Sequence, residues 1–183
     1  MFSRALFIRR NKEKNDYFLR SSWTVIELVI VIVVIGIIIA IIAPDFNIVH
    51  TIRLQGAHKK LISDIRYAQN IAIAQHTDTR IIFSIIDDTY NAWSYDNSLG
   101  AWVSLNDPFL RTQMATDFKT DKQYRGIDIE NAWFNGGAIL CFNWEGIPQD
   151  VGGNNLSAPG LVDLGFMGET LSITLIPQTG VIE

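Results

Sequence analysis

Few side chains in this sequence have the type and spacing to do chemistry. There are three histidines, His50, His58 and His76, and one cysteine, Cys141. A zinc site needs His or Cys ligands in close, paired spacing. His50 and His58 are eight residues apart, with no cysteine or further histidine beside either, so all three read as surface histidines. Cys141 lies inside the apolar stretch "AILCF"; with no base in view it reads as an inert thiol, and alone it forms no internal disulfide. Asp87-Asp88 reads as a turn between two apolar stretches, and Asp87, Asp88 and Asp150 lack the spacing of EF-hand or glycine-rich calcium loops. Trp93, Trp102, Trp133 and Trp144 read as core or hairpin cover, an exposed one being a contact point. These residues predict no enzyme, no metal and no cofactor. One ionisable residue is left over: Glu27.

Glu27 stands directly before Leu28–Ala43, sixteen residues without a polar side chain, twelve of them Ile or Val. In water such a run is an aggregation hazard. In lipid its backbone groups must pair within the segment, which only a helix achieves. Residues 23–43 as a helix reach roughly 30 Å, the thickness of a bilayer core, so the segment is expected to span. A carboxylate inside such a helix is costly and reads as functional, whereas one near the interface reaches water cheaply. Position alone leaves both readings open.

Charge orients the chain. Residues 1–22 carry six basic and two acidic side chains, a net of +4, and the whole chain is −4, which leaves −8 on residues 23–183. A basic flank before the span and an acidic domain after it place the N-terminus in the cytoplasm. The acidic excess speaks against a nucleic-acid partner. An ordinary secretory signal fits poorly, because the apolar run is long and "AIIAP" lacks the small-x-small cleavage pattern.

Beyond Pro44 the pattern changes. Leu54, Ala57, Leu61, Ile65, Ala68 and Ala72 recur at gaps of three and four, with Lys59, Ser63, Arg66 and Asn70 on another face. This predicts an amphipathic helix over 44–76, kinked near Pro44, whose stripe needs a cover. The cover is strands: "RIIFSII" and "TYNAWSY" as a hairpin about Asp87-Asp88, then "AWVSL", "GIDIE", "AILCF", "LVDLGF" and "LSITLI". Residues 106–123 show no period, and 149–160 are a Gly/Asn-rich loop. The expected fold class is α+β, a long N-terminal helix against an antiparallel β-rich domain, residues 77–183.

The stretch "SWTVIELVIVIVVIGIIIAIIAP" resembles the N-terminal signal of type IV pilins and type II secretion pseudopilins. In that family a basic leader ends at a small residue, followed by an aromatic or apolar residue, Thr, two apolar residues and Glu. The resemblance implies a leader, residues 1–22, removed by a prepilin peptidase between Ser22 and Trp23, with methylation of the new Trp23 amine. It makes Glu27 the assembly residue, pairing with the N-terminal amine of a neighbouring subunit, and places Gly36 and Pro44 at the family's helix glycine and kink. Two departures stand out: Ser22 where Gly is usual, and Trp23 where Phe is usual.

Further on, "LISDIRYAQNIAIAQHTDTRIIF", "NWEGIPQD" and "SITLIPQTGVI" are similar to minor pseudopilins of the H type and related minor pilins. The resemblance implies a minor subunit of a filament, in a type II secretion pseudopilus or a type IV pilus, anchored in the bacterial inner membrane with its C-terminal domain in the periplasm. Its partners are then other pilins or pseudopilins, the prepilin peptidase and membrane lipid. The alternatives are a signal-anchored extracytoplasmic binding domain and a DNA-uptake minor pilin, which calls for a basic patch that "PQTGVIE" lacks.

Overall fold

The computed structural model describes residues 24–42, 46–108 and 110–183, with the backbone alone for residues 41–42 and 46–50. The chain divides between Pro44 and Asp45 into two units. The first holds α1 (Val25–Ile42). Among the described residues no helix is long and apolar enough to cross a membrane. At 18 residues, α1 rises about 27 Å against the roughly 30 Å of a bilayer core. The expected span of residues 23–43 begins and ends outside the described residues, as does the expected kink at Pro44.

The second unit begins with α2 (Phe46–Gln75). Its apolar stripe is the predicted one: Leu54, Ala57, Leu61, Ile65, Ala68 and Ala72 are all buried, while Lys59, Ser63, Arg66 and Asn70 are exposed. The helix ends where His76 takes a φ of 49° and the Thr77 N–H bonds back to the Ala72 carbonyl at 3.1 Å, a left-handed residue closing the last turn.

The strands follow as β1 (Thr79–Ser84), β2 (Thr89–Asp96), β3 (Ala101–Ser104), β4 (Ala115–Asp117), β5 (Asp128–Trp133), β6 (Ile139–Phe142), β7 (Pro148–Gln149), β8 (Gly160–Phe166) and β9 (Glu169–Leu175). They form two antiparallel sheets, one in the order β3-β2-β1-β6-β7 with β4 also beside β2, the other β5-β8-β9. α2 packs on β1, β2 and β6 of the first sheet and on β8 and β9 of the second. Alternation gives each sheet an inner apolar face, as period two requires. Ile81, Phe83, Ala92, Leu140 and Phe142 are buried in the larger sheet; Val162, Leu164, Ile173 and Leu175 in the smaller. Aromatic rings join the layers, with Phe83 stacked 5.7 Å from Phe134 and Tyr90 5.9 Å from Phe118.

The chain is α+β, as the sequence predicts. Two short strands differ from expectation. β4 falls in the stretch without a period, together with an antiparallel bridge between Asn106 and Gln113, and β7 is a two-residue pairing with β6. Both are recruited by the backbone of a neighbouring strand rather than by a pattern of their own.

Candidate functional site

Thr24 and Glu27 open α1. The Glu27 N–H donates to Thr24 Oγ1 at 3.3 Å and the Leu28 N–H to the Thr24 carbonyl at 3.2 Å. Thr24 is therefore the N-cap, and Thr-x-x-Glu is the pattern of a capping box. Glu27 lies in the first turn, where the helix dipole favours a carboxylate, and its side chain is exposed. The cap is a local role that the sequence reading missed, although Thr24-x-x-Glu27 before an apolar run announces it. Gly36 sits mid-helix, and a Cβ there would meet nothing within 4 Å. A helix-interior glycine costs about 1 kcal/mol relative to Ala, and among the described residues no contact requires it. Ser22, Trp23 and Pro44 lie outside the described residues.

Every described side chain of α1 from Thr24 to Ala40 is exposed. Val25, Ile26, Leu28 through Ile35, and Ile37 through Ile39 are each at least 37% exposed. A contiguous apolar surface of this size marks a protein or membrane contact.

On α2 the segment "DIRYAQ" fastens other parts of the domain. Asp64 is buried and accepts from Tyr90 Oη at 2.5 Å and from Lys60 Nζ at 2.7 Å. Burial, and then the Asp64 charge, push the Tyr90 hydroxyl well above its ordinary pKa. Arg66 Nη2 donates to the Ile182 carbonyl at 3.4 Å. Gln69 Nε2 donates to the carbonyls of Gly146 at 2.9 Å and Thr179 at 3.4 Å. Gly146 and Gly180 have φ of 80° and 65°, conformations that glycine adopts without strain. One helix turn thus holds "NWEGIPQD" and "PQTGVI" together, a positioning role rather than a reactive one.

The remaining candidates are structural. Cys141 is half-buried and burial pushes its thiol up from 9.0 to about 11, so it is protonated near neutrality and a poor nucleophile. His58 lies 3.3 Å from the Ser172 carbonyl, His76 packs edge-on against Trp144, and the His50 side chain lies outside the description. Asp88 does more than turn the chain. Buried at a φ of 54°, it accepts from the Ile129 N–H at 3.0 Å and pairs with Lys119 at 3.3 Å, tying the β1–β2 turn to β5. Asp150 accepts from the Asn154 N–H above all, then from the Asn135 amide and the Gly152 N–H, which hold its pKa below the usual carboxylate range. Among the described residues no three His, Cys, Asp or Glu side chains converge on a metal position. Among the described residues no tryptophan is in the buried core. Trp93 and Trp102 are half-buried on the first sheet, Trp102 beneath the Arg80 guanidinium at 4.2 Å, while Trp133 and Trp144 are exposed.

No protein-family model matches the sequence, and no curated protein matches it. Solved structures do. The minor pseudopilin EpsH from the type 2 secretion system of Vibrio cholerae is 12% identical, with a TM-score of 0.53 over 72% of this chain and 94% of that one. A crystal structure of the same EpsH gives 11%, 0.53, 72% and 92%. The type IV minor pilin FimU of Pseudomonas aeruginosa is 15% identical over 71% of this chain and 86% of that one, at a TM-score of 0.46. Identities this small speak for the fold alone, and in fold this chain is pilin-like.

Proposed function

We propose that this chain is a structural minor subunit of a pilin-like filament, first of all a type II secretion pseudopilus and otherwise a type IV pilus. The observation that carries the reading is the apolar helix α1, whose described side chains are exposed, on a chain of pilin-like fold. In this reading residues 1–22 are a leader cut between Ser22 and Trp23 by a prepilin peptidase. Residues 23–43 then sit in the inner membrane, residues 44–76 continue outward and residues 77–183 lie in the periplasm. Gly36 is the helix glycine and Pro44 gives the helix its bend. Cleavage leaves an ammonium on Trp23, and an isolated charge in lipid needs a partner. Glu27 of one subunit supplies it to Trp23 of the next, so correct register is rewarded. The partners are other pilin-like subunits, and no catalysis or cofactor enters. The likeness in fold to EpsH, a minor pseudopilin of a type 2 secretion system, is the reason the secretion filament stands first in this reading.

The test is the mass of the N-terminus of protein extracted from membranes. The reading expects a chain beginning at methylated Trp23, with cleavage blocked by a bulky residue at 22 and kept by Ser22→Gly. A chain that starts at Met1 or near Asp45 sinks it.

A further inference from the structure

β1 presents alternate residues to two faces of the larger sheet. Thr79 Oγ1 donates to the Ala68 carbonyl of α2 at 3.0 Å, and Ile81 and Phe83 are buried on the same side. Arg80, Ile82 and Ser84 therefore point away from α2. Strand register carries Arg80 into a row that crosses the sheet: Ser104, Trp93, Arg80, Cys141 and Gln149. Trp102 and Tyr95 form the next row, their rings 5.4 Å apart, and Ile82 and Ile139 pair on the other side. All of these side chains are half-buried.

Arg80 is the one basic residue in these rows, and it has no acceptor. Its guanidinium lies over the Trp102 ring at 4.2 Å, but among the described residues it makes no hydrogen bond and no ion pair. Its Nε is enclosed without a partner, and so is Nε1 of Trp93, directly across the strand pair. The Nη groups of Arg80 are open to solvent. Asp78 and Asp150 are near enough to raise the Cys141 thiol, which Arg80 lowers, yet neither pairs with Arg80. Enclosed donors in native structures nearly always have an acceptor. Here the chain itself supplies none, and the open side of the guanidinium faces outward.

We propose that this outer face of the larger sheet binds an aspartate or glutamate side chain of a companion subunit that is not a copy of this chain. The Nη groups of Arg80 take the carboxylate oxygens, and the Trp102, Tyr95 and Trp93 rings pack the apolar surface around it. A guanidinium resting on an aromatic ring is oriented in advance and binds a carboxylate through both oxygens. Trp, Tyr and Arg are also the residues that dominate protein contacts. Charge decides against a polyanion. A nucleic acid needs several cations along its path, whereas these rows hold Arg80 alone and residues 76–183 carry five basic and fourteen acidic side chains, a net of −9. One cation set in an acidic domain fits one carboxylate. That the partner is a different pilin-like subunit rests on the minor-subunit reading.

The test uses the full chain in membranes together with its companion pilin-like subunits. Arg80→Lys keeps the positive charge and supplies an amine that a carbodiimide joins directly to a carboxylate in contact with it; the wild-type arginine forms no such link and is the baseline. Mass spectrometry of the linked peptides should join position 80 to an Asp or Glu of a companion subunit. Adding Trp102→Ala, which removes the ring under the cation, should weaken that link several-fold. Arg80→Glu combined with a Lys in place of the linked companion carboxylate should restore a link in reversed sense, which also shows that both variants fold. Links from position 80 only to this chain's own Asp78 or Asp150, only to another copy of this chain, or to no protein overturn the proposal. So does a companion link indifferent to Trp102→Ala. A companion link on a chain whose Trp23 is unprocessed overturns the filament reading and leaves the carboxylate contact standing; processed Trp23 without the link overturns the contact alone.

Discussion

The Tyr90 hydroxyl donates to the Asp64 carboxylate at 2.5 Å, joining β2 to α2 across 26 residues of sequence in the buried interior. A buried carboxylate tolerates loss of a donor poorly, because its desolvation is then less well compensated. Tyr90→Phe keeps the ring against Phe83 and Phe118 and removes only the hydroxyl. It should lower unfolding stability by about 1.5–3 kcal/mol, measured by chemical denaturation of the detergent-solubilised chain. The pH dependence has a definite sign. The folded pKa of Tyr90 is raised above 10.0, so the associated stability is fully present below pH 10 and is lost as pH rises through the folded value. Tyr90→Phe should lose this alkaline component. An unchanged alkaline profile in the variant would refute the assignment to Tyr90.

Gln69 reaches two glycine-bearing turns from one position on α2. At Gly146 a Cβ would lie 2.6 Å from Ile73 Cδ1, on a backbone whose φ is 80°. Gly146→Ala therefore combines a clash with a left-handed alanine, a cost of about 2 kcal/mol or more. Gly136, at a φ of 97° with nothing within 4 Å, carries the backbone strain without the clash. Comparing thermal midpoints of Gly146→Ala and Gly136→Ala separates the two; equal midpoints count against the packing role given to Gly146.

What the sequence made legible follows from periodicity. The α2 stripe and the β1–β2 and β8–β9 hairpins repeat at 3.6 or 2 residues, and burial enforces those repeats over many positions. β4 and β7 are too short to carry any period. Asp88 was readable as a turn, but its bond to the Ile129 N–H spans 41 residues and leaves no local trace. Asp64 is a different case. It lies three residues after Leu61 and directly before Ile65, within the angular width of the buried stripe. A carboxylate there calls for a buried partner, so the existence of a partner was readable even though Tyr90 was not. The chemistry of α1 was readable as composition alone, whereas the Thr24 cap was written in the spacing Thr24-x-x-Glu27.

Cys141 offers a probe of the native domain. Burial holds its thiol at about 11 in the folded chain against 9.0 otherwise. Alkylation by iodoacetamide at pH 8 should therefore be at least about tenfold slower in the folded chain than in denaturant, since the reactive species is the thiolate. The linked stability is complete below pH 9 and disappears as pH rises toward 11. Equal alkylation rates in the folded and denatured chains would show that the thiol is not buried as described.

Glu27→Gln isolates the charge that the filament reading needs. The cap at Thr24 accepts the Glu27 backbone N–H, which the substitution leaves in place, and Gln serves as well as Glu at the third helical position of a capping box. The start of α1 is therefore preserved, and any defect comes from the lost carboxylate. If Glu27 acts only as part of the cap or reaches interfacial water, the variant behaves as wild type, because an amide enters lipid more easily than a carboxylate. If Glu27 meets the Trp23 ammonium of a neighbour, the variant should still insert and be cleaved, since neither step uses that contact. It should then fail to join companion subunits, leaving an unpaired ammonium at a cost of several kcal/mol, on the order of 3–5, in a dry environment. Crosslinking to companion subunits in membranes, wild type against variant and normalised to the cleaved form, measures this directly. Undiminished crosslinking of cleaved Glu27→Gln would leave Glu27 with the cap as its whole role.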